Sequence, residues 1–159
     1  MTISTTTIKN SYSGNGSTSA FTYSFKITDD DDIQVIIRTD STGAETVKTK
    51  TTHYTVSGVG SNSGTVTFTS GNIPASGETV VLRRSTPQTQ GMDLIENDPL
   101  PANTLETAHD KVMSVAQEVQ EEVDRSIKLS RTNTMTSTEF TVGASDRANK
   151  ILAFDSSGE

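Results

Sequence analysis

Apolar and polar residues alternate with a period of two along most of the first 86 residues, as they do in an extended chain with one buried face. The clearest run is residues 21–27, where Phe21, Tyr23, Phe25 and Ile27 alternate with polar residues. This run places three aromatic rings on one face, which we predict to be the centre of the core. Further predicted strands span residues 33–38, 44–50, 53–57, 65–69 and 78–85, with a weaker alternation in 2–8.

Six or seven short strands separated by turns predict a mainly β domain over residues 1–86, either an antiparallel sandwich or an open barrel. Pro87, Pro99 and Pro101 follow, and each restricts the backbone of the residue before it. We therefore expect an extended connector over residues 87–102.

The hydrophobic period then changes to that of one long C-terminal α-helix, predicted over residues 103–129. Asn103 is a suitable N-cap, and Glu106 lies three residues later, where it closes a capping box. Beyond the helix, residues 130–159 are polar and predict a flexible linker. Because the chain ends in a turn without a returning strand, we expect it to be the N-terminal piece of a longer product whose distal fibre is missing.

Eight apolar residues of the predicted helix fall on one stripe about 120° wide, at about 100° per residue. They are Leu105, Ala108, Val112, Val115, Ala116, Val119, Val123 and Ile127. Glu118, Glu121 and Arg125 fall outside the stripe, and the last two are predicted to pair at the i,i+4 spacing. The helix is therefore expected to bury its apolar face and to keep its charged face exposed to solvent. The stripe is only approximately heptad, and two packings remain open: against the sheet of the same chain, or in a trimeric stalk.

Composition narrows the possible functions. The net charge of −7 and the pI near 4.8 argue against nucleic acid or an anionic membrane as a partner. The chain has no Cys, which excludes disulfides and Cys-based zinc sites. No apolar run reaches the about 20 residues that span a bilayer, and the N-terminus lacks a secretory signal.

The candidate chemistry is weak. Residues 29–32 are four consecutive Asp, but Gln34 and Asp40 occupy the positions where a calcium-binding EF-hand loop needs Gly and Glu. His53 and His109 have no further ligands at metal-binding spacing. We predict a solvated acidic turn, no metal, no cofactor and no enzymatic activity. Arg83 and Arg84, at the end of the last strand, are candidates for pairing with acidic groups of a partner.

Short runs in a fixed order resemble those of a known family. They are Tyr12-Ser-Gly-Asn-Gly16, Phe21-Thr-Tyr-Ser-Phe25, Asp32-Ile-Gln-Val35, His53-Tyr-Thr-Val56, Gly64-Thr-Val-Thr-Phe68, Val80-Val-Leu-Arg-Arg-Ser-Thr-Pro87, Leu105-Glu106 and Asp110-Lys111. Together with the helix that follows, they resemble the N-terminal domain of tail fibre and tailspike proteins of T7-like podoviruses, over nearly the whole chain. One departure is that residues 125–130 lack the Pro that often closes the helix in such proteins.

The resemblance implies a structural protein of the phage virion, located in the tail, which anchors a fibre. Three copies would join one fibre to the tail tube by docking on adaptor and nozzle proteins. Host-receptor recognition would lie in distal segments absent here. The rival hypothesis is a carbohydrate-binding β module of a phage adhesin or depolymerase spike, motivated by Tyr12, Phe21, Tyr23 and Tyr54.

Overall fold

The computed structural model describes residues 2–89, 91–92, 101–128 and 132. The predicted flexible linker of residues 130–159 lies outside the described residues, apart from residue 132, and so does most of the second half of the predicted connector. The β domain and the helix belong to one compact unit, Met1–Arg125.

Within the described residues, seven strands form two antiparallel sheets. They are β1 (Lys9–Ser13), β2 (Ala20–Tyr23), β3 (Ile33–Thr39), β4 (Glu45–Val47), β5 (Tyr54–Ser57), β6 (Gly64–Phe68) and β7 (Glu78–Arg84). One sheet has the order β1-β7-β3-β4 and the other the order β2-β6-β5. The two sheets do not close into a barrel, and in the part of the chain that the structure describes one helix, α1 (Ala102–Arg125), follows them. The prediction of a mainly β domain followed by one long helix is confirmed.

The core lies between the inner faces of the two sheets. Phe21, Tyr23 and Phe25 are all buried, which confirms the predicted core centre. Phe21 of β2 packs edge-on against Phe68 of the neighbouring strand β6, with ring centroids 5.7 Å apart. The buried cluster also contains Ile27, Ile33, Val35, Ile37, Tyr54, Val66, Val80 and Leu82. Period-two alternation therefore places the apolar residues of both sheets in one shared interior.

The strand bounds differ from the prediction at the N-terminus. The weak alternation of residues 2–8 forms no strand, and β1 begins at Lys9 instead. β1 is an edge strand whose five residues pair with β7, from Lys9 opposite Arg83 to Ser13 opposite Thr79. This pairing comes from main-chain hydrogen bonds with the last strand of the domain, which the local pattern does not reveal.

The helix bounds are corrected as well. The helix was predicted over residues 103–129 with Asn103 as its N-cap, but α1 begins at Ala102 and ends at Arg125. The carbonyl of Pro101 accepts hydrogen bonds from the Thr104 and Leu105 amides, at 3.1 and 3.3 Å. Pro101 thus lies directly before the first turn, because its fixed φ is compatible with a helix start and its missing N–H is not needed there. Among the described residues, no helix is apolar and long enough to cross a bilayer.

Candidate attachment site at the helix and its junction with the β domain

The helix α1 contacts its own β domain through a polar face. Its buried residues are Asp110 and Ser114, and the half-buried Gln117, Glu118 and Glu121 follow at helical spacing. At about 100° per residue, these five positions lie within about 100° of one another. We call this set, Asp110, Ser114, Gln117, Glu118 and Glu121, the docked face.

At the N-terminal end of the docked face, Lys26 and Asp110 form a buried ion pair. The Lys26 Nζ donates to the Asp110 Oδ2 at 2.6 Å, and the two side chains are only 10% and 8% exposed. The other carboxylate oxygen accepts a hydrogen bond from the Ile3 amide at 3.2 Å. Lys26 lies between the core residues Phe25 and Ile27, and it is one of the alternating polar positions of the strand pattern. In the structure Lys26 lies beyond the end of β2 at Tyr23, and its ammonium group meets the helix at Asp110.

Arg84, the last residue of β7, lies at the centre of the junction and has no exposed surface. Its Nε donates to Glu118 Oε1 at 2.9 Å, and its Nη2 donates to Gln117 Oε1 at 2.6 Å and to the Ser114 carbonyl at 3.3 Å. Glu118 also accepts hydrogen bonds from the amide and the hydroxyl of Thr86, at 2.9 and 2.7 Å. A buried guanidinium is thus matched to a carboxylate, as a buried charge requires.

A third group of charges lies at the solvent-exposed rim of the junction. Arg83 Nη2 donates to Glu122 Oε1 at 2.6 Å, and Lys9 Nζ lies 3.5 Å from Glu121 Oε1. Within the helix, Arg125 Nε donates to Glu121 Oε1 at 2.8 Å, which confirms the predicted i,i+4 pair. Chiefly through this hydrogen bond, and with help from the charges of Lys9 and Arg83, the pKa of Glu121 is held below its ordinary value.

The apolar stripe lies on the other side of α1. Val112 is 69% exposed, Val119 and Val123 are each 45% exposed, and Ala116 is also on this side. At about 100° per residue, these four positions lie roughly opposite the docked face. Of the remaining predicted stripe residues, Leu105, Ala108 and Val115 are half-buried and Ile127 is exposed.

This arrangement reverses part of the prediction. The sequence pattern assigned Glu118 and Glu121 to the wet face, whereas the structure packs them against the β domain. The exposed part of the stripe does not pack on the sheet of its own chain. The reason is that the β domain presents Lys26, Arg84 and Thr86 to the helix, and these groups need polar partners.

Arg83 and Arg84 were predicted as contacts with a tail partner. Arg84 has no exposed surface, because its side chain pairs with Glu118 and Gln117 of the same chain, and its contact with a tail partner stays a prediction. Arg83 keeps 22% of its side-chain surface exposed while it pairs with Glu122. The sequence pattern did not reveal the buried ion pair between Arg84 and Glu118. The only signal in the sequence was that the β domain carries the basic residues Lys26 and Arg84 while α1 carries acidic residues, and their pairing is long-range.

The acidic turn is organised by contacts within the protein. Asp32 is buried and accepts hydrogen bonds from the Thr28 amide and hydroxyl and from the Asp29 amide, at 2.6 to 2.9 Å. Asp29, Asp30 and Asp31 have carboxylate oxygens close enough together to face one cation. The cationic group of Lys50 pairs with Asp30 at 2.6 Å and also with Asp31, and its hydrogen bond lowers the pKa of Asp30.

The aromatic residues that motivated the carbohydrate-binding hypothesis mostly belong to the core. Phe21, Tyr23 and Tyr54 are buried. Tyr12 is half-buried, its ring centroid lies 5.6 Å from that of Phe21, and its hydroxyl donates to the Thr22 carbonyl at 2.6 Å. A sugar stacks on an exposed aromatic face, and three of these four rings are buried in the core.

Comparison with known proteins shows that this chain is a structural protein of a phage virion, located in the tail. The chain belongs to the family described as phage T7 tail fibre protein, N-terminal domain, which matches residues 1–137. It is also similar to the tail spike protein of Salmonella phage epsilon15, with 33% identity over 125 residues. That match covers 76% of this chain and 11% of the relative's length. The family and the tail location predicted from the sequence are confirmed.

Proposed function

We propose that this chain is the anchor of a phage tail fibre or tailspike, and that three copies associate through the apolar stripe of α1. In this proposal the trimer docks on the adaptor and nozzle proteins of the tail, and receptor recognition belongs to distal segments. The chain itself acts mechanically and catalyses nothing. The observation that carries the proposal is that Val112, Ala116, Val119 and Val123 face away from the β domain to which α1 is docked.

The exposed stripe supplies a driving force for association. Burying one Val or Leu side chain completely stabilises a protein by about 1.5–3 kcal/mol. Val112, Val119 and Val123 keep 45% to 69% of their surface in the isolated chain, so much of this stabilisation is still available to an association of helices. Contiguous exposed apolar residues rimmed by polar ones are typical of an interface between chains.

The position of the β domain on α1 is compatible with a helical bundle. Because the docked face and the stripe lie on opposite sides of the helix, several helices can meet along their stripes while each β domain stays on the outside. The stripe spacings of four, three and four residues between Val112 and Val123 approximate the seam of a coiled coil. The number three is what membership of a tail fibre family leads us to expect.

A single-cysteine experiment tests the association. The chain has no Cys, so Val119→Cys provides one unique thiol on the stripe. A short bis-maleimide should link copies of this variant into dimers on a denaturing gel. The matched control is Thr107→Cys, which places an exposed thiol on the same helix at about 150° from the centre of the stripe. Equal linking of both variants, or of neither, would contradict the proposal.

Docking on the tail needs a separate test. We expect the 159-residue chain to bind purified phage tails from which the fibres have been removed. The Val119→Glu variant should bind more weakly, since it places charges in the stripe and leaves fewer copies joined. The control is Val59→Glu, because Val59 is similarly exposed, at 43%, but lies in a loop of the β domain. Absence of wild-type binding to such tails would refute the anchoring role.

A further inference from the structure

We infer that the Lys26–Asp110 and Arg84–Glu118 pairs are positioning contacts, which hold α1 with its apolar stripe turned away from its own β domain. The stripe is thereby left exposed for contact with other copies of the chain. The inference rests on the proposed function and deepens it, because it names the residues that decide which face of α1 is free. Both pairs join the β domain to the docked face.

The polar and the apolar face of α1 compete for contact with the β domain. An amphipathic helix beside a β domain ordinarily turns its apolar side inward, because this removes apolar surface from water. Here α1 turns Asp110 and Ser114 inward and leaves Val112 at 69% exposure. Some feature of the β domain must therefore favour the polar face of α1 over the apolar one.

The buried cations of the β domain supply that preference. If α1 rotated by half a turn, Lys26 would lose Asp110, Arg84 would lose Glu118, and both cations would lie under valine side chains. Removing one partner of a buried ion pair leaves an uncompensated charge, which is strongly unfavourable. A correctly matched buried pair adds little net stability by comparison. The pairs therefore act mainly by penalising the wrong orientation, as polar groups do in other interfaces that select between arrangements.

A second element fixes the same orientation from another direction. The segment before β1 runs beside the helix, where the Ile3 amide donates to Asp110 Oδ1 at 3.2 Å and the Thr5 carbonyl accepts from Gln117 Nε2 at 3.0 Å. These main-chain groups also need polar partners. The rotation of α1 is thus specified both by the side chains of Lys26 and Arg84 and by the N-terminal segment.

The test replaces both pairs with apolar residues of similar size, so that no charge is left unpaired. The quadruple variant is Lys26→Met, Asp110→Leu, Arg84→Met and Glu118→Leu, made in the Val119→Cys background. In this variant no buried charge opposes a rotation that turns the stripe inward, and the hydrogen bond between Gln117 and the Thr5 carbonyl remains among the contacts that favour the original orientation. We expect bis-maleimide linking through the thiol at position 119 to fall at least tenfold, while circular dichroism shows that the helix persists. Unchanged linking with the helix intact would overturn the inference and leave the association itself standing.

The matched control applies the same chemistry to an exposed ion pair. Arg38 and Asp40 are 3.2 Å apart with side chains 47% and 41% exposed. Arg38→Met with Asp40→Leu should therefore leave the linking at its parent level. If the parent Val119→Cys chain itself does not link, the proposed association fails, and that outcome is distinct from a failure of the positioning inference.

If the quadruple variant does not fold, reversing the charges of the Lys26–Asp110 pair tests its positioning role. Lys26→Glu places a carboxylate against Asp110, and we expect it to reduce linking at least tenfold. Adding Asp110→Lys restores a pair of opposite charges and should return part of the linking, since Lys at position 110 cannot accept the hydrogen bond that Asp110 accepts from the Ile3 amide. Failure of the second change to rescue the first would overturn the positioning role, since a pair acting through its charge complementarity must tolerate reversal.

Discussion

Arg84 at the end of β7 and Glu118 in the middle of α1 form an ion pair with an Nε–Oε1 distance of 2.9 Å, and the arginine side chain has no exposed surface. This contact joins the last strand of the β domain to the helix that follows it. The opposite side of α1, which includes Val112 and Val119, faces away from the chain's own sheets.

Removing the carboxylate of this pair should destabilise the domain strongly. Glu118→Ala leaves Arg84 buried without its counter-charge, and breaking a buried pair in this way costs about 3–5 kcal/mol. Urea unfolding followed by circular dichroism measures the loss. The control is Glu122→Ala, whose side chain is 60% exposed while it pairs with Arg83, and such surface pairs contribute about 0–1 kcal/mol. Equal losses for the two variants would contradict the central role of Arg84.

The aromatic core centre should be sensitive to truncation. Phe25 has no exposed surface, and Phe→Ala in a packed core typically costs about 3–5 kcal/mol, because burial is lost and a cavity remains. Val47→Ala is the comparison, since Val47 is 57% exposed on the edge strand β4 and should change the unfolding free energy little. A small effect of Phe25→Ala would show that the core is centred elsewhere.

One glycine is required by both its backbone angle and its surroundings. Gly58 has a φ of +86°, and a Cβ there would lie 2.7 Å from the Ser63 carbonyl oxygen. Gly16 has a similar φ of +73° but open space around it. Gly16→Ala should therefore cost only the left-handed backbone strain of about 1–2 kcal/mol. Gly58→Ala should cost clearly more, as measured by thermal unfolding, and the reverse order would contradict the packing of this turn.

The rim of the junction should lose stability in acid. The hydrogen bond from Arg125 holds the folded-state pKa of Glu121 below its ordinary value of 4.5. The carboxylate's contribution is therefore complete above pH 4.5 and is lost as the pH falls through the lower folded-state pKa. We expect the unfolding free energies of wild type and Glu121→Gln to differ at neutral pH and to converge as the pH falls through this range. A difference that stays constant with pH would contradict this assignment.

The sequence predicts the β domain well and the orientation of the helix poorly, for one physical reason. The alternation of Phe21, Tyr23 and Phe25 is local, so the pattern alone shows which side of the strand is buried. The buried face of α1 depends instead on partners far away in the chain: Lys26 is 84 residues from Asp110, and Glu118 is 34 residues from its partner at the end of β7. Hydrophobic periodicity assigns charged residues to solvent, and it gives no sign that a distant cation will bury them.

Hydrophobic periodicity also fails to predict the edge strand β1, whose pairing depends on main-chain hydrogen bonds. Its residues are polar apart from Tyr12, and their pairing with β7 does not depend on a hydrophobic pattern. The ion pair between Glu121 and Arg125 was predictable because both residues belong to one helix and the i,i+4 spacing brings them together.

The mass of the chain in solution tests the central claim most directly, namely that the exposed stripe of α1 joins copies of the protein. Sedimentation equilibrium of the wild-type chain should give three times its single-chain mass of 17.0 kDa. Val119→Glu, which places a charge in the stripe without touching the docked face, should shift the mass towards 17.0 kDa. A wild-type chain that sediments at 17.0 kDa at every concentration tested would contradict the account.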